Sequence, residues 1–100
     1  MKIVAITACP TGIAHTYMAA EQLEKTGKKL GHAVKVETQG AMGIENELTA
    51  TDIAGADAVI FAVDIPVQRR ERFAKVAKVL EVPVQLAIKN PTGVFEKLLK

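Results

Sequence analysis

With 100 residues, 49% of them hydrophobic and 24% charged, the chain has room for one domain (residues 1–100) built on a single core. A net charge of +2, no Trp, one Tyr and three Phe argue against a nucleic-acid partner held by a basic surface or by stacking, and no apolar run approaches the ~18 residues of a membrane span. The lone cysteine agrees with a reducing, cytoplasmic setting and, without a second cysteine or a clustered histidine pair, gives no metal site.

Met1-Lys2-Ile3-Val4 leads straight into a strand pattern and lacks the long apolar core of a signal peptide. The first strand is predicted over Lys2 to Thr7, β-branched and apolar enough to be central. A helix follows from about Ile13 to Leu30. Ala19, Leu23, Thr26 and Leu30 recur on one side of it, and Glu21/Lys25 and Glu24/Lys28 form i,i+4 pairs on the other. Gly31 and His32 supply its stop signal. Ala33 to Thr38 alternates as a second strand, with Val34 and Val36 on one face.

Gln39 to Glu47 has two glycines and no period, and reads as a loop. Thr49-Ala50-Thr51-Asp52 resembles an N-cap with an acid in the first turn, opening a short helix that ends near Gly55 or Ala56. Ala58 to Val63 is a third strand, ended by Asp64-Ile65-Pro66. Residues 69–80 carry two patterns, because Phe73, Val76, Ala77 and Leu80 fit a helix while Val79, Leu80, Val82 and Val84 suit a strand. A helical turn near 68–75 and a fourth strand near 77–82 are expected. Asn90-Pro91 opens a terminal helix, Pro91 to Leu99. This alternation predicts an α/β fold with a parallel sheet covered by helices.

The chemistry concentrates in Cys9-Pro10-Thr11-Gly12-Ile13-Ala14-His15-Thr16. Strand, glycine-containing turn and helix start place the thiol beside the N–H groups of a helix N-terminus, a setting that binds a phosphate-sized anion and favours thiolate over thiol. Thr11 to Thr16 offer successive N–H donors, with Gly12 able to adopt a positive φ. Thr11 and Thr16 add hydroxyls, and His15 adds charge when protonated. Pro10 donates nothing but holds Cys9 extended. The strand ends should meet at the carboxyl edge of the sheet, bringing Gln39, Gly40 and Asp64 to the rim of the same pocket.

Plainer readings stand beside these. Cys9 also suits a small core residue, His15 an exposed first-turn residue, Asp64 a turn residue before Ile65-Pro66, and His32 a surface position. The run Arg69, Arg70, Arg72, Lys75, Lys78 reads either as a solvated face or as a docking rim for an acidic partner. Three functions could use the cysteine turn: a phosphocarrier, a small cysteine phosphatase, or a non-catalytic anion-binding module. The phosphatases carry an arginine where this chain has His15, followed by Ser or Thr, here Thr16. Lacking that guanidinium fork, which grips two phosphate oxygens, the turn favours a carrier whose thiophosphate survives until an acceptor arrives.

The octapeptide at 9–16, with Val36-Glu37-Thr38-Gln39-Gly40 and Gly43-Ile44-Glu45-Asn46-Glu47-Leu48, resembles the enzyme IIB domain of the fructose-type bacterial phosphotransferase system. The likeness runs from Ile3 to about Asp64, and resumes at Glu71-Arg72-Phe73 and near Ala87-Ile88-Lys89-Asn90-Pro91. It implies a four-stranded parallel sheet in the order 2-1-3-4 with helices on both faces, a Rossmann-like three-layer sandwich. It also implies that Cys9 accepts a phosphoryl group from a phosphohistidine of enzyme IIA. The group then passes to a sugar, fructose or a related hexose, held by the membrane component enzyme IIC. Pro10 through Thr16 would form the phosphate cradle, no cofactor would be needed, and the domain would work at the inner face of the membrane, with enzyme IIC separate or fused to it. The chain departs from the family where a Gly-Lys-Pro turn usually precedes the fourth strand, having Lys75-Val76-Ala77-Lys78-Val79 instead.

Overall fold

The structure, a computed structural model, describes residues 1–9, 13–40 and 43–99. Ile3, Val4 and Ile6 are β-branched residues that pack well on a pleated surface, and they sit in β1 (Lys2–Ala8), whose side chains from Ile3 to Ala8 are fully buried. β1 pairs in parallel with β2 (Ala33–Gly40) on one side. On its other side it pairs in parallel with a strand at Ala58–Val63. A three-residue strand, β3 (Gly43–Glu45), runs antiparallel along β2, so the strand at Ala58–Val63 is β4 and its parallel neighbour at Lys78–Val82 is β5. The sheet order is β3-β2-β1-β4-β5.

The four parallel strands stand in the order the resemblance implied. The fifth strand corrects the expectation of a four-stranded sheet and of a loop from Gln39 to Glu47. Gln39 and Gly40 complete β2, and the chain returns along it. Gly43, which opens β3, has φ +94°, and Asn46, which follows it, has φ 54°, both left-handed, and the Asn46 amide donates to the Val36 carbonyl at 2.8 Å. Three residues are too few to show an alternating pattern, which is why the sequence gives no period there.

α1 (Ile13–Lys29) ends as its sequence predicts. Gly31 adopts φ +86°, Gly31 N–H donates to the Lys28 carbonyl, and His32 N–H reaches back to that of Gly27, the hydrogen-bond pair of a Schellman cap. Leu30 lies beyond the last helical residue and is exposed, so it does not extend the apolar stripe. α2 (Ala50–Ala54) carries a reciprocal capping box, in which Thr49 Oγ1 accepts from Asp52 N–H and the Asp52 carboxylate accepts from Thr49 N–H. A 3₁₀ turn spans Arg70–Phe73, α3 spans Val84–Lys89 and α4 spans Pro91–Leu99. The short α3 was not expected, because Val82 and Val84 flank Pro83 with strand-like chemistry. Here Pro83 precedes the first helical residue, and the Asp64 carboxylate accepts from Val84 N–H at 3.3 Å.

α1, α3 and α4 cover one face of the sheet, packing Ala19, Leu23, Val84, Val94 and Phe95 against Ile3, Ala5, Val36 and Ile60. The other face packs Val4, Ile6, Val59 and Phe61 against Leu48 and Phe73, with Ile53 of α2 half-buried beside them. His32 is not a plain surface residue: half-buried, its ring stacks on Phe95 with centroids 6.0 Å apart.

Gly27 sits where α1 crosses β2. A Cβ there would lie 2.2 Å from Val34 Cγ2 and 3.1 Å from Phe95 Cζ. Alanine is the better helix former by about 1 kcal/mol, but overpacking of this kind costs about 1–3 kcal/mol. Gly27→Ala should therefore lower the urea midpoint of unfolding with the slope unchanged, despite the improved helix propensity.

Candidate functional site

The register sets the carboxyl ends of the three central strands side by side. Ala8 pairs with Gln39 of β2 and with Val63 of β4, and Asp64 N–H donates to the Ala8 carbonyl at 2.9 Å. Cys9 follows β1 directly, is 5% exposed, and packs in the cluster under α1 and α3. Thr16, in the first turn of α1, is also buried. Its carbonyl accepts from Thr7 Oγ1 at 3.1 Å, which fastens the start of the helix to β1. Gly40 approaches the same turn closely, since a Cβ on it would stand 3.8 Å from Thr16 Oγ1.

Cys9, Thr16, Gly40 and Asp64 are thus gathered at one edge of the sheet. Ala14 and His15 are exposed in the same turn of α1, behind Ile13, which begins the helix. Pro10, Thr11 and Gly12 lie outside the described residues. The first turn of α1 contains no acidic residue, so nothing there offsets the positive end of the helix dipole. The arrangement sets Cys9, at the end of β1, beside the start of α1. Cys9 is packed as the small core residue of the plainer reading.

Gln39 was expected on the pocket rim. Its backbone reaches the edge, but its side chain is buried and turned to the other face of the sheet. Its Nε2 donates to Glu37 at 2.7 Å and to the Gln68 carbonyl at 3.1 Å, while its Oε1 accepts from Gln68 N–H at 2.8 Å. Glu37 is fully buried. It accepts both arms of the Arg72 guanidinium, at 2.9 and 3.0 Å, and the Leu48 N–H at 2.9 Å. Burial pushes the Glu37 carboxyl up, but Arg72, Gln39 and the Leu48 N–H together hold it below its ordinary value. The Arg72 guanidinium is held above its ordinary value mainly by its hydrogen bonds to Glu37.

Sequence reasoning missed this cluster. The alternation gave no signal of it, because Glu37 shares the polar phase of the strand with Lys35 and reads as solvent-facing, whereas an acid buried there demands a cation. The basic run is not simply a solvated face. Arg69 pairs with Glu47, Arg70 pairs with Glu81 at 3.1 Å and lies 4.7 Å from the Phe61 ring centroid, and Arg72 holds Glu37, while Lys75 and Lys78 are exposed. On the α1 side of the edge, the Tyr17 hydroxyl donates to Glu45 of β3 at 2.5 Å, a bond that raises the tyrosine pKa.

An open α/β sheet whose one thiol stands at the end of a central strand, against the start of the first long helix, defines a small cysteine-bearing α/β domain. The chain belongs to the family described as "PTS system, Lactose/Cellobiose specific IIB subunit", which matches residues 4–97. It is 52% identical over 97 residues to the PTS system fructose-like EIIB component 2 of Escherichia coli (strain K12), a match covering 97% of this chain and 91% of that protein. It is also 51% identical over 98 residues to the PTS system fructose-specific EIIABC component of Bacillus subtilis (strain 168), covering 98% of this chain and 15% of that longer protein. The crystal structure of a domain from a fructose-specific IIABC component of Borrelia burgdorferi superposes with a TM-score of 0.90 at 46% identity, covering 96% of this chain and 90% of that one. The fructose-type resemblance seen in residues 9–16, 36–40 and 43–48 is therefore borne out, and sugar phosphotransfer is the process in which the family takes part. Among the described residues, no helix is long and apolar enough to cross a membrane.

The Glu37 carboxyl titrates lower in the folded chain than in the unfolded one. Its contribution to stability is therefore present above about pH 4.3, the unperturbed value, and lost as the pH falls through the folded value. Glu37→Gln leaves Arg72 without its counter-charge, and breaking a buried pair in this way costs about 3 kcal/mol or more at neutral pH. Urea unfolding at stepped pH should show that loss, together with a flatter acid limb in the variant.

Proposed function

We propose that residues 1–100 form the phosphocarrier domain of a sugar phosphotransferase system, with Cys9 as the phosphoryl acceptor. The observation that carries this reading is the position of Cys9, at the carboxyl end of β1 beside a first helical turn free of acidic side chains. In the first step the Cys9 thiolate attacks the phosphorus of a phosphohistidine on enzyme IIA. The S–P bond forms, the P–N bond breaks, and the imidazole keeps the electron pair and takes up a proton. In the second step a hydroxyl oxygen of a sugar held by enzyme IIC attacks the same phosphorus. The O–P bond forms, the S–P bond breaks, and the thiolate is restored while the hydroxyl proton passes to a base on the partner.

Phosphoryl transfer of this kind requires placement and donors around three charged oxygens rather than further covalent chemistry. The backbone from Thr11 to Thr16, the Thr11 and Thr16 hydroxyls and a protonated His15 supply the donors, Pro10 holds Cys9 extended, and Gly40 and Asp64 stand at the rim. No cofactor enters. A phosphatase is the weaker reading. Position 15 is His rather than Arg, and the Asp64 carboxylate, the local candidate for a leaving-group acid, already accepts from Val84 N–H. The Bacillus relative carries A and C designations with B in its name, which supports enzyme IIA and a membrane enzyme IIC as the partners here, separate or fused. The fructose-type names of the relatives support fructose or a related hexose as the sugar, and a membrane-held enzyme IIC would place the domain's work at the inner face of the cell membrane.

Incubation with phosphorylated enzyme IIA followed by intact-mass analysis tests the proposal. The wild type should gain one phosphoryl group that persists for minutes, and Cys9→Ser should gain none. Phosphate release without an adduct would replace the carrier with a phosphatase, and an unmodified, silent protein would favour an anion-binding module.

A further inference from the structure

A cleft of about 750 Å³ lies between α2 and the 3₁₀ turn, on the face of the sheet away from the Cys9 side chain. Its volume falls within the ~300–1,000 Å³ of small-molecule sites. The floor is apolar, made by Leu48, Ile53, Ala54 and Val76. It stays uncovered because α2 fully buries none of its residues, leaving Ile53 half-buried and Ala54 exposed.

The charges around this floor differ in what they already hold. Arg69 is paired with Glu47, and Arg72 gives both guanidinium arms to Glu37. Lys75 also lines the cleft, is exposed, and has no ion-pair partner among the described residues. The cleft therefore combines an apolar floor with one uncompensated cation.

We propose that this cleft binds a small amphipathic anion, an alkyl or aromatic body bearing one carboxylate or phosphate group. The body covers Leu48, Ile53, Ala54 and Val76, and the head group meets Lys75. A sugar phosphate fits poorly, because its hydroxyls would lose water against an apolar floor without gaining partners. The thiol and the cleft lie on opposite faces of the sheet, so occupancy leaves Cys9 uncovered and the site is independent of the carrier reaction.

Decanoate and decyltrimethylammonium share an apolar chain and differ in the sign of the head group. Each would be titrated below its micelle concentration into the isotope-labelled chain while backbone amide shifts are followed. Decanoate should give saturable shifts centred on Ile53, Ala54, Lys75 and Val76. It should bind about tenfold more weakly to Lys75→Glu, the scale of a partly exposed charge contact reversed in sign, and the cation should bind wild type no better than that variant binds decanoate. Ala54→Trp, which fills the cleft from an exposed position, should abolish binding while the β1 amides keep their shifts. Unsaturable or scattered shifts, equal affinity for the two head groups, or undiminished binding to Lys75→Glu would overturn the proposal. Both substitutions lie at exposed positions, and Lys75→Glu keeps the test decisive if the tryptophan variant fails to fold.

Discussion

Every side chain of β1 from Ile3 to Ala8 is buried, so the strand has to sit between two neighbours with a further layer on each face of the sheet. The parallel pairings of β1 with β2 and β4 answer the first demand, and the helices on one side with α2 and the 3₁₀ turn on the other answer the second. Parallel sheets are buried on both faces for this reason. The candidate site lies where that burial runs out, since Cys9 is the first residue after β1 and still packs in the core. The Cys9 side chain is 5% exposed and held by the core cluster. It is thus positioned by packing rather than by a loop alone.

The two faces are sealed by different means. Under α1, α3 and α4 the contact is apolar, and at Gly27 the helix lies so near Val34 that a Cβ has no room. On the other face an apolar cluster is joined by the buried carboxylate of Glu37, which holds Arg72, Gln39 and the Leu48 N–H. A buried ion pair contributes little net stability compared with apolar residues of the same volume. Its value here is geometric. Three groups, two of them from outside β2, converge on one carboxylate, and that convergence fixes how the 3₁₀ turn and the residues around Gln68 lie across the end of β2.

Much of the fold was legible because its signals are local. The apolar runs of β1 and β4, the helical period of α1, Gly31 as its stop and the Thr49–Asp52 cap depend on residues within a few positions of one another, and each appears where the sequence places it. The strand at 78–82 emerges within a residue of its expected start, although the preceding segment carried two patterns. What escaped depends on distant partners. β3 exists because β2 offers it an edge, and α3 begins where Asp64, far back in the chain, caps it. The Glu37 cluster joins residues that no sequence period relates, and the side chain of Gln39, expected at the pocket rim, is held on the other face by Glu37 and Gln68. At the site itself, the meeting of Cys9 with Gly40 and Asp64 followed from strand order alone.

The sheet ends in two open edges, and each is blunted differently. On one side β3 is only three residues long and carries Glu45, whose carboxylate is engaged by Tyr17. On the other, β5 exposes Val79, but Lys78 begins the strand and Glu81 is clasped by Arg70. Short edge strands and charged side chains both hinder the docking of a foreign strand. Neither border therefore offers the long, flat, apolar template on which identical molecules stack, even though the central strand between them is buried on both faces.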